Sequence, residues 1–310
     1  MPDARPVVGL IGLGQMGAAM CRTLLRGGWR VVAWDIAPAA VDAAVQGGAV
    51  AARGPADAAS RAGVILTSVP DIDALREVAL GASGLVRGEC RGTVLADTST
   101  ISPLDARDLA AALIPHGLGF LDAPVSGGVR GAEAGTLAVM VGGSHDHFDQ
   151  ARPVLAGIGQ AVVLCGPVGA GQIAKACNQL VVMATHESIA EAMVLAAASG
   201  LDPWRVREVL SAGYAASPIL DIQGPRMLKH DFAPGGRARF HLKDIATINW
   251  LARQAGIELP GFDAAARQFE RLVERGGGDL DNSAIITVVE PDDPVVEPDD
   301  PVVRPDGPGT

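Results

Sequence analysis

The chain has 310 residues, 48% of them hydrophobic and 19% charged, which provides for a sizeable core and excludes global disorder. That length suggests two domains, or one large one. The net charge of −10 argues against nucleic acid as the main ligand, although an anionic small molecule needs only local positive groups.

The four cysteines, Cys21, Cys90, Cys165 and Cys177, form no CxxC pair, and no His/Cys cluster has metal-ligand spacing. They read as buried free thiols in a reducing compartment, with no metal. The opening MPDARPVVGL moves straight toward a strand with no apolar signal region. The longest apolar helical stretch, Leu180 to Ala198, carries His186, Glu187 and Glu191, too polar a set to span a bilayer. The expectation is a cytoplasmic protein with neither nucleic acid nor membrane as a partner.

Short apolar runs alternate with helix-length segments through the first half. The runs are Val7–Ile11, Arg30–Trp34, Val64–Val69, Thr93–Asp97, Phe120–Asp122, Thr136–Val141 and Ala161–Leu164. Several are continuous rather than alternating, as in strands covered on both faces. Between them lie Ala-rich helical segments such as Gly17–Arg26 and Pro38–Gln46. This rhythm predicts an α/β domain with a doubly wound parallel sheet over residues 1–165.

The pattern changes near Gly166. One long helix is expected from Ala170 to Ser199, stopped by Gly200, and another from Asp202-Pro203, a cap followed by Pro at the first helical position. Lys243–Gln254 and Phe262–Glu274 also read as helices, so residues 166–287 are expected to form an all-α domain. From Val288 the chain repeats with period seven: VVEPDDP, VVEPDDP, VVRPDGP. Proline and acid prevent helix and sheet there, so 288–310 reads as a disordered acidic tail. Seven acids and one arginine lie between Glu290 and Thr310, more than half of the net charge.

The first strand runs into Gly12-Leu13-Gly14-Gln15-Met16-Gly17 and then a helix. Gly12 permits the tight turn, Gly14 lets a pyrophosphate approach the backbone, and Gly17 lets helix and strand pack closely. The helix N-terminus offers N–H groups and a positive dipole end to phosphate. Asp35 ends the second strand, 18 residues past Gly17. A carboxylate there accepts ribose hydroxyls and repels a 2′-phosphate, and Ile36 and Ala37 supply no cation, so NAD is favoured over NADP.

The stretch IGLGQMGAAM, from Ile11 to Met20, is similar to the opening of the β-hydroxyacid dehydrogenases, the 3-hydroxyisobutyrate dehydrogenase family. Four further segments resemble that family in the same order: 97–103 (DTSTISP), 122–128 (DAPVSGG), 169–179 (GAGQIAKACNQ) and Lys243-Asp244. The resemblance covers about residues 5–287. It implies a Rossmann domain followed by a helical domain, and reversible NAD(P)-dependent oxidation of a β-hydroxy acid to its semialdehyde. It also implies a homodimer or homotetramer built through the helical domain.

Lys175 matches the family's catalytic lysine. A free lysine titrates near about 10.4, so a basic role needs burial or nearby positive charge, while its ammonium can protonate an alkoxide in the reverse direction. Asn178 lies one turn on, where the resemblance places an asparagine that holds substrate; Gln179 is the alternative neighbour. Ser126, Gly127 and Gly128 form a Gly-rich turn suited to a substrate carboxylate. Val69, Pro70 and Thr100 fall where the family contacts the cofactor, and Lys243 resembles a lysine that reaches back over it. His186 reads as a helix-face histidine and is not assigned to catalysis.

Pro234-Gly235-Gly236-Arg237 departs from the family, which carries an aromatic near Gly236. Arg237 and Arg239 read either as a site for a second carboxylate or as solvated loop charges. The alternatives are a semialdehyde reductase of the tartronate or glyoxylate type, an imine reductase, and a non-catalytic dinucleotide sensor. An imine reductase generally replaces the lysine, and a sensor has no need of Lys175, Asn178 and Ser126 together.

Overall fold

The computed structural model describes residues 6–291. They divide into two compact units between Gln179 and Leu180.

In chain order the first unit contains β1 (Val7–Ile11), α1 (Gln15–Arg26), β2 (Arg30–Trp34), α2 (Pro38–Gln46), β3 (Val50–Ala51), α3 (Pro55–Ala59), β4 (Val64–Thr67) and α4 (Ile72–Leu80). Then come β5 (Val94–Asp97), α5 (Pro103–Leu113), β6 (Gly119–Asp122), β7 (Val125–Ser126), α6 (Gly128–Ala134), β8 (Leu137–Gly142), α7 (His145–Leu155) and β9 (Gly159–Gly166). The unit ends inside the long helix α8 (Ala170–Ala198).

The sheet runs β3-β2-β1-β4-β5-β6-β8-β7, with β9 paired to β8. Neighbours from β3 to β6 are parallel. Side chains alternate across it: Val8 and Leu10 of β1 enter one apolar cluster with α1 and α7, while Ile11 enters the cluster under α3, α4 and α5. Both faces are therefore buried, which is why the strands read as continuous apolar runs.

Beyond β6 the sheet is not parallel throughout. Asp122 of β6 meets Gly142 of β8 antiparallel, β7 and β8 are antiparallel, and β8 and β9 are parallel. The local cause is that Val125 and Ser126 pair at once with Val139 and Ala138, so the chain folds back before a full crossover can form. The two-residue strands β3 and β7 lie outside the expected runs; two residues carry no periodicity.

The second unit holds the rest of α8 and then α9 (Pro203–Ala212), α10 (Pro218–Lys229), α11 (His241–Ala255), α12 (Pro260–Glu274) and α13 (Ile286–Val289). Gly200, in the left-handed region at φ 76°, follows the end of α8, and Asp202 caps α9 by accepting Trp204 N–H at 2.9 Å. Helix α10 was hidden in the sequence by Gly224 and Pro225 inside it. Its core includes Met183, Met193, Leu220, Met227, Ile248, Phe262, Phe269 and Leu272. By length and composition alone α8 could cross a membrane, but it buries Gln172, Lys175, His186 and Glu187, polar groups that belong inside protein.

Two expectations need correction. Val288 and Val289, assigned to the tail, end α13, and Val288 is buried because it completes the apolar packing of that turn. The repeats from residue 292 lie outside the described residues. Cys21 and Cys90 are buried, but Cys165 on the edge strand β9 and Cys177 on α8 are exposed.

Candidate dinucleotide and substrate site

The turn between β1 and α1 has the geometry its glycines allow. Gly12 sits at φ 89°, and a Cβ there would collide with Ser68 O of β4's following loop. A Cβ at Gly17 would collide with Gly12 O, so strand and helix touch through bare backbone. A Cβ at Gly14 would meet nothing within 4 Å: the turn opens at that point, and Gly14 supplies no side-chain cap to α1. Gln15 and Met16 begin the helix there. An open concavity facing helix N–H groups fits a pyrophosphate.

Asp35 Oδ2 accepts Leu13 N–H at 2.6 Å and Oδ1 accepts Ala37 N–H at 2.7 Å. The carboxylate therefore stands beside the glycine turn, as expected. It also does something not foreseen, tying the β2 end to the turn itself. Each oxygen retains a second lone pair for a ribose hydroxyl.

The ends of β4 and β5 are locked by hydroxyls. Buried Asp97 Oδ1 accepts Thr67 Oγ1–H at 2.7 Å and Ser99 Oγ–H at 2.7 Å. Ser99 Oγ in turn accepts Val69 N–H at 3.0 Å, which fixes the Val69-Pro70 loop beside half-buried Thr100. From α8, Gln172 Nε2 donates to Ser99 O at 2.9 Å and Gln172 Oε1 accepts Ile101 N–H at 3.2 Å. The loops after β4 and β5 and α8 are thus one hydrogen-bonded body.

Lys175 is buried on α8. Its Nζ donates to Val125 O at 2.9 Å and to Gln179 Oε1 at 3.0 Å. The same Gln179 oxygen accepts Asn178 Nδ2–H at 3.0 Å. Gln179, in sequence only the alternative to Asn178, is thus the acceptor for both neighbours. The available signal was its place one full turn from Lys175, on the same helix face. Ser126 follows Val125 on β7, and Gly127 and Gly128 are exposed with φ of 127° and 61°. Lys175 Nζ and the Ser126-Gly127-Gly128 turn therefore adjoin through Val125.

Asp122, at the end of β6, has no exposed surface. Its Oδ1 accepts Gly169 N–H at 2.7 Å and its Oδ2 accepts Gln172 N–H at 2.9 Å, gripping the first turn of α8. Burial pushes its carboxyl up to about 6, against the lowering effect of those two N–H bonds.

Lys243 lies in the second unit, exposed on the first turn of α11 beside buried Asp244. His186 is a core histidine: Nδ1 lies 2.8 Å from Val182 O, the ring stands edge-on to Phe269, and burial pulls it down to about 4. Arg237 and Arg239 both reach Asp279 Oδ1, at 3.4 and 2.7 Å. Gly236 N–H, with Gly235 N–H, donates to buried Asp281 Oδ2, so this loop is held by backbone where the family has an aromatic.

A family model described as the NAD binding domain of 6-phosphogluconate dehydrogenase matches residues 7–166. A second, described as the NAD-binding region of NADP-dependent 3-hydroxyisobutyrate dehydrogenase, matches residues 169–289. The 2-hydroxy-3-oxopropionate reductase of Escherichia coli K12 is 35% identical, over 91% of this chain and 97% of its own. The NAD-dependent L-serine dehydrogenase of Pseudomonas aeruginosa is 33% identical, over 92% and 98%. The structure of Mycobacterium tuberculosis 3-hydroxyisobutyrate dehydrogenase with L-serine superposes with a TM-score of 0.81 at 34% identity, covering 92% of this chain and 99% of that one. An imine reductase from Pseudomonas sp., at 19% identity and a TM-score of 0.62, shares the fold alone. The chain belongs to the β-hydroxyacid dehydrogenase family and is an NAD(P)-binding oxidoreductase of hydroxy acids.

Proposed function

We propose that the chain interconverts a small β-hydroxy acid and its semialdehyde, with NAD as the preferred cofactor and Lys175 as the general acid and base. The observation that carries this reading is the Nζ of buried Lys175, held between Val125 O and Gln179 Oε1 beside the Ser126-Gly127-Gly128 turn.

Ser126 Oγ–H and the turn's N–H groups hold the substrate carboxylate. Asn178, gathered with Lys175 by Gln179, orients the substrate hydroxyl. In oxidation the neutral Lys175 amine takes the hydroxyl proton while the carbinol carbon loses hydride. The bound nicotinamide supplies the hydride acceptor. In reduction the Lys175 ammonium returns that proton to the nascent alkoxide. A neutral amine keeps two N–H groups and an ammonium three, so both forms satisfy Val125 O and Gln179 Oε1. The lysine therefore changes charge without losing its place.

The relatives' names point to one substrate unit. 3-Hydroxyisobutyrate, L-serine and 2-(hydroxymethyl)glutarate each carry a primary alcohol β to a carboxylate, and 2-hydroxy-3-oxopropionate carries the corresponding aldehyde. A panel of such acids, assayed with NAD and with NADP by the absorbance of reduced cofactor, tests the reading. Turnover of at least one with NAD is expected. No turnover of any, in either direction, would refute it. For the assembly, a homodimer or homotetramer is the reading: α9 buries none of its residues and exposes Trp204 and Val209. A monomer by light scattering would contradict that.

A further inference from the structure

We propose that Asp122 is a positioning residue: by clamping the first turn of α8 to the end of β6, it sets the place of Lys175 relative to the substrate-carboxylate turn. This rests on the assignment of Lys175 given above.

The geometry is a double staple between two short stretches of chain. Segment 122–128 starts at Asp122, passes Val125 and ends in the Ser126-Gly127-Gly128 turn. Segment 169–175 starts the long helix and ends at Lys175. Asp122 joins the two at one end, through Gly169 N–H at 2.7 Å and Gln172 N–H at 2.9 Å. Lys175 Nζ on Val125 O joins them at the other, at 2.9 Å. Gln172 is one helical turn before Lys175, so a shift of the first turn is carried directly to the amine.

The socket around the carboxylate is built from glycine. A Cβ at Gly142 would collide with Asp122 Oδ1, and one at Gly171 would lie 2.6 Å from Asp122 O and 2.9 Å from Oδ2. Helix, sheet end and carboxylate therefore meet with no side chain between them. A carboxylate is the group suited to this place, since it offers one acceptor to each N–H and meets the positive end of a 29-residue helix. A carboxylic acid or an amide offers one good acceptor and one donor, and a donor facing a backbone N–H breaks half the clamp. The charged and titratable groups facing Asp122 are Asp97 on β5 and Cys165 on β9, with Arg107 of α5 close by on Val168 O. Burial holds the Asp122 carboxyl up near 6, so the clamp titrates on the acid side of neutrality.

The test is Asp122→Asn, with Asp122→Ser as a second variant, compared with the wild-type enzyme. Expected for the wild type is a kcat for semialdehyde reduction, the direction in which a protonated Lys175 favours turnover, that falls on the acid side with an apparent pKa near 6. Expected for Asp122→Asn is a kcat lowered about 10-fold at pH 8, with that acid limb absent, and an NAD dissociation constant changed less than about 2-fold. Amide hydrogen exchange at Gly169 to Gln172 should quicken in the variant while the central strands keep their protection. A variant with wild-type kcat and an unchanged acid limb overturns the proposal. If neither variant folds, a wild-type reduction kcat flat between pH 5 and 8 overturns it, and an acid limb near 6 in that direction supports it. Lys175→Ala keeps the two readings apart: full activity there refutes the lysine assignment, whereas a dead Lys175→Ala beside an unaffected Asp122→Asn refutes only the clamp.

Discussion

Asp35 holds the glycine turn through its carboxylate, and the proposed NAD preference gives the same group a second task. Its oxygens take the Leu13 and Ala37 N–H groups; under the proposal, the same carboxylate repels a 2′-phosphate. Asp35→Ser removes the repulsion and one acceptor. The ratio of kcat/KM for NAD to that for NADP is expected to fall at least 10-fold; an unchanged ratio would discount the role. At this scale the glycine turn and the lysine were legible, because each depends on near neighbours in the chain. In sequence Gln179 reads only as an alternative to Asn178, and nothing near Asp122 marks its partners. The two backbone N–H groups that Asp122 serves lie 47 and 50 residues away, and only the closed fold brings them to it.

Among elements, α8 carries the most chemistry and the least comfortable residues. Glu187 is buried on it, with neither carboxylate oxygen in a hydrogen bond among the described residues. Burial, helped by Glu191 and opposed by Arg271, pushes its carboxyl up to about 7. The fold thus prefers the protonated acid. Its ionisation penalty is absent below the unfolded value near 4.5 and grows as pH rises to about 7. His186 works in the opposite sense: it is buried neutral and pulled down to about 4, so stability is lost as pH falls from 6.5 toward that value. Glu187→Gln should therefore raise the melting temperature at pH 8, by roughly 2 kcal/mol of stability, and change it little at pH 5. Equal effects at both pH values would contradict the assignment. The long helices and the strands β1, β2, β4 and β5 were legible from apolar runs and caps. Strands β3 and β7 were too short to show a period, and the internal Gly224-Pro225 disguised α10.

Across the whole molecule, the division into an α/β unit and a helical unit follows from the change of pattern near Gly166, although the compact units part later, inside α8. The antiparallel turn of β8 was not legible, because strand direction depends on which residues pair and not on their apolar pattern. At the C-terminal end, Val288 is buried and Glu290 Oε1 lies 2.9 Å from His230 Nε2. A chain ending at Pro291 is thus expected to melt several degrees above one ending at Thr287, from burial of a valine worth roughly 1.5–3 kcal/mol. Identical melting curves would show that α13 adds nothing. The proposed chemistry depends on the amine of Lys175, and the kcat of Lys175→Ala with the best β-hydroxy acid and NAD tests it most directly. The expected result is a loss of about 10²–10⁴-fold, partly restored by an added small primary amine, with cofactor binding intact. A kcat within 2-fold of wild type would contradict it.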